Sequence, residues 1–259
     1  MKLVEQKVER IEESDLSKLA EMCAKNCYQS ELLLDKEARI KFLMGLVEKG
    51  HTSVFEHCGV YLKYSYGTIR NNYSFFLKNK YTVVKKSGKD GYVYTNLRVI
   101  IENNLDLFKN ILEGNMYKKN IFIPSDNDPY KIFTFKITTD HGQERSLLRH
   151  RSNSFTVEST RWINYLKKFG ISFIEWQGKK KNAWIYKLSC KLSSFFYKLL
   201  IKRGEIPEVA RSVLNLGHKT DIIMSGFRSS WRNFFLLRLD KKAHFQIRNI
   251  AEEIKKLIA

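Results

Sequence analysis

Residues 149–162, RHRSNSFTVESTRW, set Arg149, His150 and Arg151 side by side and follow them with Ser154, Glu158, Ser159, Thr160 and Arg161. Adjacent cations repel, so such a run is either solvated or sits against an anion. Arginine suits the second case, because its planar fork reaches two phosphate oxygens at once. Taken alone, an Arg-His-Arg triplet is most often a solvated basic face. HTSVFEH (51–57) is as ordinary by itself: a His and a Glu flank a helix-to-strand turn, with Glu56 as its cap. The four cysteines (23, 27, 58 and 190) have no paired metal spacing, so no metal site is predicted. Buried free thiols fit them better and point to a reducing compartment. The formal net charge of +19 suits phosphates, nucleic acid or acidic membrane. Plentiful Lys, Asn, Ile, Phe and Tyr beside only 3 prolines also match the composition of an AT-rich genome. Charge alone leaves both readings open.

The elements that would carry these residues follow from periodicity. Leu16, Leu19, Ala20 and Cys23 make a helical stripe after Ser14 and Asp15, and a second helix runs from Asp35 to about Lys49, where Gly50 stops it. GVYLKYSYG, from Gly59, and IFTFKITT, from Ile132, alternate like strands. The second leads through Asp140 and Gly142 into a short helix with Leu147 and Leu148, which puts Arg149–Arg151 at a helix end. Between about 68 and 130 a basic, aromatic piece with a turn at GKDG precedes one helix candidate, NLRVIIENNLDLFKNIL, and the segment reads as an insertion within one domain. Farther on, Trp184, Leu188, Leu192, Phe195 and Leu199 form one long helical face closed by Gly204. Pro207 opens a helix that Gly217 ends, and two more helices follow near 231–239 and 243–257. The charged N-terminus lacks a signal peptide's apolar stretch, and no run approaches the roughly 18 apolar residues of a membrane span. A cytoplasmic protein with no membrane partner is predicted, of α/β or α+β class with helices dominating.

In combination these stretches carry far more information. RHR, then Ser154, then Ser159-Thr160-Arg161 with an aromatic at 162, resembles the signature of the flavin-dependent thymidylate synthases, the ThyX family, and Asn164, Tyr165, Phe169 and Gly170 continue it. CAKNCYQSE (23–31) resembles the family's early helix end, and HTSVFEH its His-x-Ser/Thr-x-x-Glu-His element. EVARSVL (208–214), KTDIIMSG (219–226) and WRNFFLLRLDKKAHFQIRNIA (231–251) resemble its C-terminal half. The resemblance implies one ThyX-like α+β domain over 1–259, with a central, mostly antiparallel sheet, flanking helices and a helical C-terminal half.

It also implies FAD as cofactor, with Ser53, Glu56, Arg149, His150, Arg151 and Asn233 at its site. Cations near the isoalloxazine ring would stabilise the anionic reduced form. The implied substrate is dUMP, held by Glu158, Ser159, Thr160, Arg161, Arg211 and Arg238, and the resemblance puts His51, Ser159 and Arg238 at the chemistry. Methylenetetrahydrofolate would supply the carbon, reduced FAD the hydride, and NADPH the electrons that re-reduce the flavin. The implied assembly is a homotetramer with active sites between subunits. No cysteine follows a proline or falls in the nucleotide motifs, which suits a route that needs no enzyme nucleophile and leaves the protein positioning and electrostatics. The chain departs from the family pattern at several positions: Thr156 and Val157 replace a common Asn-Glu, Phe227 a flavin-binding asparagine and Ser229 an arginine. Two other readings stay open at this stage. One is a non-catalytic relative that binds nucleic acid or a protein scaffold, and the other a flavin enzyme acting on a different pyrimidine nucleotide.

Overall fold

The computed structural model describes residues 1–115, 120–167 and 170–258. In chain order its elements are β1 (Lys2–Val4), β2 (Lys7–Arg10), α1 (Leu16–Tyr28), α2 (Lys36–Glu48), a 3-10 turn (Thr52–His57), β3 (Gly59–Ser65), α3 (Tyr66–Asn72), α4 (Phe75–Lys78), β4 (Val83–Ser87), β5 (Asp90–Asn96), α5 (Leu97–Asn103) and α6 (Leu105–Glu113). There follow β6 (Ile132–Asp140), α7 (His141–Leu147), β7 (Ser154–Val157), β8 (Ser172–Ile174), α8 (Ala183–Lys202), α9 (Pro207–Ala210), β9 (Lys219–Phe227), α10 (Arg228–Arg238) and α11 (Phe245–Ile258).

The alternation in IFTFKITT sorts side chains onto two faces of an antiparallel sheet ordered β2-β6-β9-β7. On one face Phe133, Phe135 and Ile137 meet Ile222 and Met224 of β9, and Trp231, Phe234, Ile250 and Ile254 of α10 and α11 cover them. The opposite face is richer in hydroxyls, with Thr134, Thr156 and Ser225 beside Ile223. Helix α1 and the 3-10 turn cover that side and join it to a second core built from α1, α2, β3, β5, α5 and α6. A third cluster holds α8 against Ile163, Tyr165, Ile171 and Phe173 through Cys190 and Tyr197.

Caps define the helices as their sequences suggest. Asp15 accepts the Ser17 and Lys18 amides and Asp35 accepts Ala38, while Gly50 takes the left-handed conformation (φ 73°) after α2. Within 68–130, β4 and β5 form a hairpin about Gly88 (φ 59°), and β5 pairs along the whole of β3. The single helix expected there is two: the Asn104 side chain accepts the Leu107 amide and starts α6 afresh. The helix expected from Pro207 to Gly217 is also cut short. After one turn it tightens into a 3-10 turn (Arg211–Val213), and Ser193 of α8 then donates its hydroxyl to the Val213 carbonyl (2.6 Å) and accepts the Asn215 amide (3.0 Å). Those bonds replace the ones the next helical turn would have made. Strands β1, β2, β7 and β8, each of four residues or fewer and recruited by pairing, have no counterpart in the sequence reading, and neither does the nine-residue β9, whose KTDIIMSG stretch enters that reading only as a family motif. Among the described residues no helix is long and apolar enough to cross a membrane.

Candidate active site

Helix α7 begins at Asp140, whose carboxylate accepts the Gln143 amide (2.8 Å), and ends with Leu147 in the core, so residues 149–151 leave it at the sheet edge. Arg149 and Arg151 are exposed and His150 is buried. The last turn of α10 brings Arg238 to the same place. Its Nε donates to His150 Nε2 (2.8 Å) and its Nη2 to the Ser146 carbonyl (2.8 Å), while the Phe234 ring packs edge-on to the imidazole. Burial, reinforced by the Arg238 charge, lowers the His150 pKa to about 4, so the ring is neutral with its proton on Nδ1. Asn153 lies next to this group. Its Oδ1 accepts the Ser152 hydroxyl (3.2 Å), its buried Nδ2 has no partner among the described residues, and a side chain at Gly226 would collide with it.

The other end of β7 carries a second group. The Ser159 amide donates to the Cys27 carbonyl at the end of α1 (2.8 Å), and Asn26 donates to the Thr156 and Asp221 carbonyls. Thus CAKNCYQSE braces the signature stretch. Arg211 donates from Nη1 to Thr160 Oγ1 (2.8 Å) and from Nε to the Glu208 carbonyl (3.2 Å), and Arg161 pairs with the Glu208 carboxylate (2.8 Å). Glu158 turns inward: it accepts the Tyr165 hydroxyl (3.0 Å), Lys219 Nζ (2.7 Å) and the Asp221 amide (3.2 Å). Opposite charges at Glu158 and Asp221 hold the Lys219 pKa above its ordinary value despite the opposing effect of burial. Four residues of strand, about 13 Å, separate the two groups.

The 3-10 turn of HTSVFEH approaches the middle of β7. His51 and Ser53 stay exposed at its rim, and Glu56 pairs with Arg98. His57 is buried between hydroxyls, with Ser225 Oγ 2.7 Å from Nδ1 and Thr156 Oγ1 2.8 Å from Nε2. Ser225 donates to Thr134 Oγ1 (2.9 Å), so its oxygen accepts Nδ1–H and Nε2 accepts the Thr156 hydroxyl. Burial alone pushes the His57 pKa down to about 3. Asn233 is exposed on α10, and Phe169 lies outside the described residues.

Among the described residues no carboxylate comes within ion-pair distance of Arg149, Arg151, Arg211 or Arg238. Arg161 differs in pairing with Glu208, as Arg39 does with Glu21 and Lys219 with Glu158. A family model described as thymidylate synthase complementing protein matches residues 130–259, the half that holds both arginine groups and β7 between them. The chain belongs to the ThyX family. Curated relatives agree. Flavin-dependent thymidylate synthases of Saccharolobus solfataricus and Sulfurisphaera tokodaii are 31% and 34% identical over 133 and 137 residues, 49% of this chain in each case and 51% and 52% of theirs. That of Pyrococcus furiosus is 34% identical over 110 residues, 40% of this chain and 45% of its own. The chain spans about half the length of the curated relatives it matches.

Against the ThyX expectations, the structure brings Arg149, His150, Arg151 and Arg238 into one group and Ser159, Thr160, Arg161 and Arg211 into another. The first group fits an anionic cofactor: two exposed guanidiniums without counterions, Nη1 of Arg238 outside its two bonds, and the orphaned Asn153 amide. Sequence reasoning missed Asn153 and His57. Asn153 gives no periodic signal. His57 closes the HTSVFEH element, but its partners lie 99 and 168 residues away. Phe227 packs edge-on to Tyr130, and Arg228 is bound to the carbonyls of Asp126 and Ile258.

Proposed function

We propose that the chain is a flavin-dependent thymidylate synthase that converts dUMP to dTMP, with methylenetetrahydrofolate as carbon donor and NADPH as reductant. The observation that carries this reading is the pair of basic groups, one at each end of β7, in which Arg149, Arg151, Arg238 and Arg211 meet no carboxylate among the described residues and Arg161 meets only the partly exposed Glu208. Arg149 and Arg151 bind the flavin, and the neutral His150 holds Arg238 in register beside them, where it meets dUMP at the flavin's edge. Bound FAD supplies the hydride that completes the methyl group. Arg161 and Arg211 bind the nucleotide phosphate, with Ser159 and Thr160 as hydroxyl donors. Glu158, engaged with Tyr165, Lys219 and Asp221, is a positioning residue that fixes the backbone from which Ser159 and Arg161 project. His51, Ser53, Glu56 and Asn233 complete the flavin side from a neighbouring subunit of a homotetramer, in keeping with their exposure or rim position. Fixed positive charge near the flavin favours its anionic reduced form without reorganisation during the reaction.

Two measurements on the purified protein test the reading. A visible absorption spectrum after addition of FAD is expected to show a bound flavin whose bands shift with dUMP. Release of the C5 hydrogen of dUMP is expected when folate and NADPH are present. Protein that stays colourless after FAD addition, or that binds FAD and leaves dUMP intact under every reductant, sinks it.

A further inference from the structure

Helix α8 is attached to the body by its small and polar side. Cys190, Ser193, Ser194 and Tyr197 are buried, while Trp184, Ile185, Leu188, Leu192, Phe195 and Phe196 point away. Trp184 is 65% and Phe195 57% exposed. The stripe that reads as one helical face in the sequence is therefore an outer surface. At the helical angle of about 100° per residue these side chains share a continuous arc of roughly 120°. Lys187, Lys191, Lys198 and Lys202, all exposed, occupy the adjoining flank. Lys179, Lys180 and Lys181 precede the helix and Arg203 follows it, and no Asp or Glu occurs from 176 to 204. Twenty residues make a rod of about 30 Å. A contiguous apolar stripe of this kind marks an interaction surface, unlike singly scattered exposed side chains.

We propose that α8 docks this protein on an anionic lipid bilayer surface, lying in the plane of the headgroups with its aromatic arc in the acyl boundary. Charge complementarity selects this occupant. A bilayer of acidic lipid offers hydrocarbon for the arc and phosphate for the flanking lysines, whose long stems let the ammonium groups reach the headgroups. A second copy would bring the same cationic flank with no carboxylate to meet it; antiparallel pairing sets lysine row against lysine row. Nucleic acid would satisfy the lysines and leave the arc in water. The proposal concerns association with one leaflet and does not depend on the reaction proposed above.

Co-sedimentation of the full chain with vesicles of phosphatidylcholine, with and without phosphatidylglycerol, tests it. The chain is expected to pellet with the anionic vesicles, to be released as salt rises, and to remain in solution with phosphatidylcholine alone. Replacing Lys191 and Lys198 by Gln weakens binding roughly fivefold per lysine. Leu188→Glu with Phe195→Glu abolishes it. All four positions are exposed, so the far-UV dichroism and melting temperature of these variants are expected to match the parent chain. Failure to pellet with anionic vesicles overturns the proposal, as does pelleting that the two glutamates leave intact. A fall in solution mass caused by those glutamates also overturns it and assigns the face to a second copy.

Discussion

At the scale of the residue, the arginines of the two groups differ from the buried Arg39 in what they meet. Arg39 is satisfied internally by Glu21, whereas Arg149, Arg151, Arg211 and Arg238 meet no carboxylate among the described residues. Under the proposed assignment Arg211→Ala raises the KM for dUMP roughly tenfold to a hundredfold, the value of a hydrogen bond to a charged group, with the flavin spectrum unchanged. Arg149→Ala combined with Arg151→Ala does the reverse, weakening FAD in an absorbance titration before it affects dUMP. Thr156 has a different task. Its hydroxyl is the donor to a fully buried imidazole, so Thr156→Val leaves His57 Nε2 unpaired and costs about 1–3 kcal/mol in urea denaturation, while Thr156→Ser retains most of the stability.

At the scale of the element, α8 carries two opposite faces, and the same type of substitution separates them. Tyr197 is fully buried against Tyr165 and residue 163, so Tyr197→Ala is expected to cost about 3–5 kcal/mol, measured as a shift in the denaturation midpoint. Leu188→Ala, on the exposed arc, changes stability by no more than about 0.5 kcal/mol despite removing a leucine. Equal losses at the two positions would contradict the orientation of the helix. The short strand β7 makes a similar point about placement. Thr156 and Phe155 face opposite sides, one toward His57 and the other toward the apolar core, so a one-residue slip would exchange them.

At the scale of the whole molecule, buried neutral histidines make stability depend on pH. Burial lowers His57 to about 3, and burial together with His141 and Lys219 lowers His218 to about 3, from an ordinary value of 6.5. Above pH 6.5 the rings are neutral in both folded and unfolded chains. Below it the unfolded chain binds protons that the folded chain refuses, so stability falls as the pH drops toward 3. Each histidine contributes a slope of up to about 1.4 kcal/mol per pH unit. Urea midpoints measured between pH 6.5 and about 5.3, roughly one unit above the ordinary glutamate value, are expected to decline steadily. Substituting His57 by Gln removes its share of the slope. A flat profile in that window would mean that both rings gain protons in the folded state.

The sequence by itself determined the elements with strong local signals. Asp15, Asp35, Gly50 and Gly88 mark caps and turns through their own backbone chemistry, IFTFKITT alternates because one face is buried, and the basic-hydroxyl signature carries the family. The split at Asn104 was equally local, since a short amide side chain can start a helix as well as interrupt one. Tertiary structure decided what depends on distant partners. Strands β1, β2, β7 and β8 exist because neighbours pair with them, the helix after Pro207 stops because Ser193 takes its carbonyl, and Glu158 is turned inward by Lys219 and Tyr165. The apolar stripe of α8 shows the limit most plainly. Periodicity finds a face but carries no sign, and only the packing of Cys190 and Tyr197 settled which side of the helix met the core.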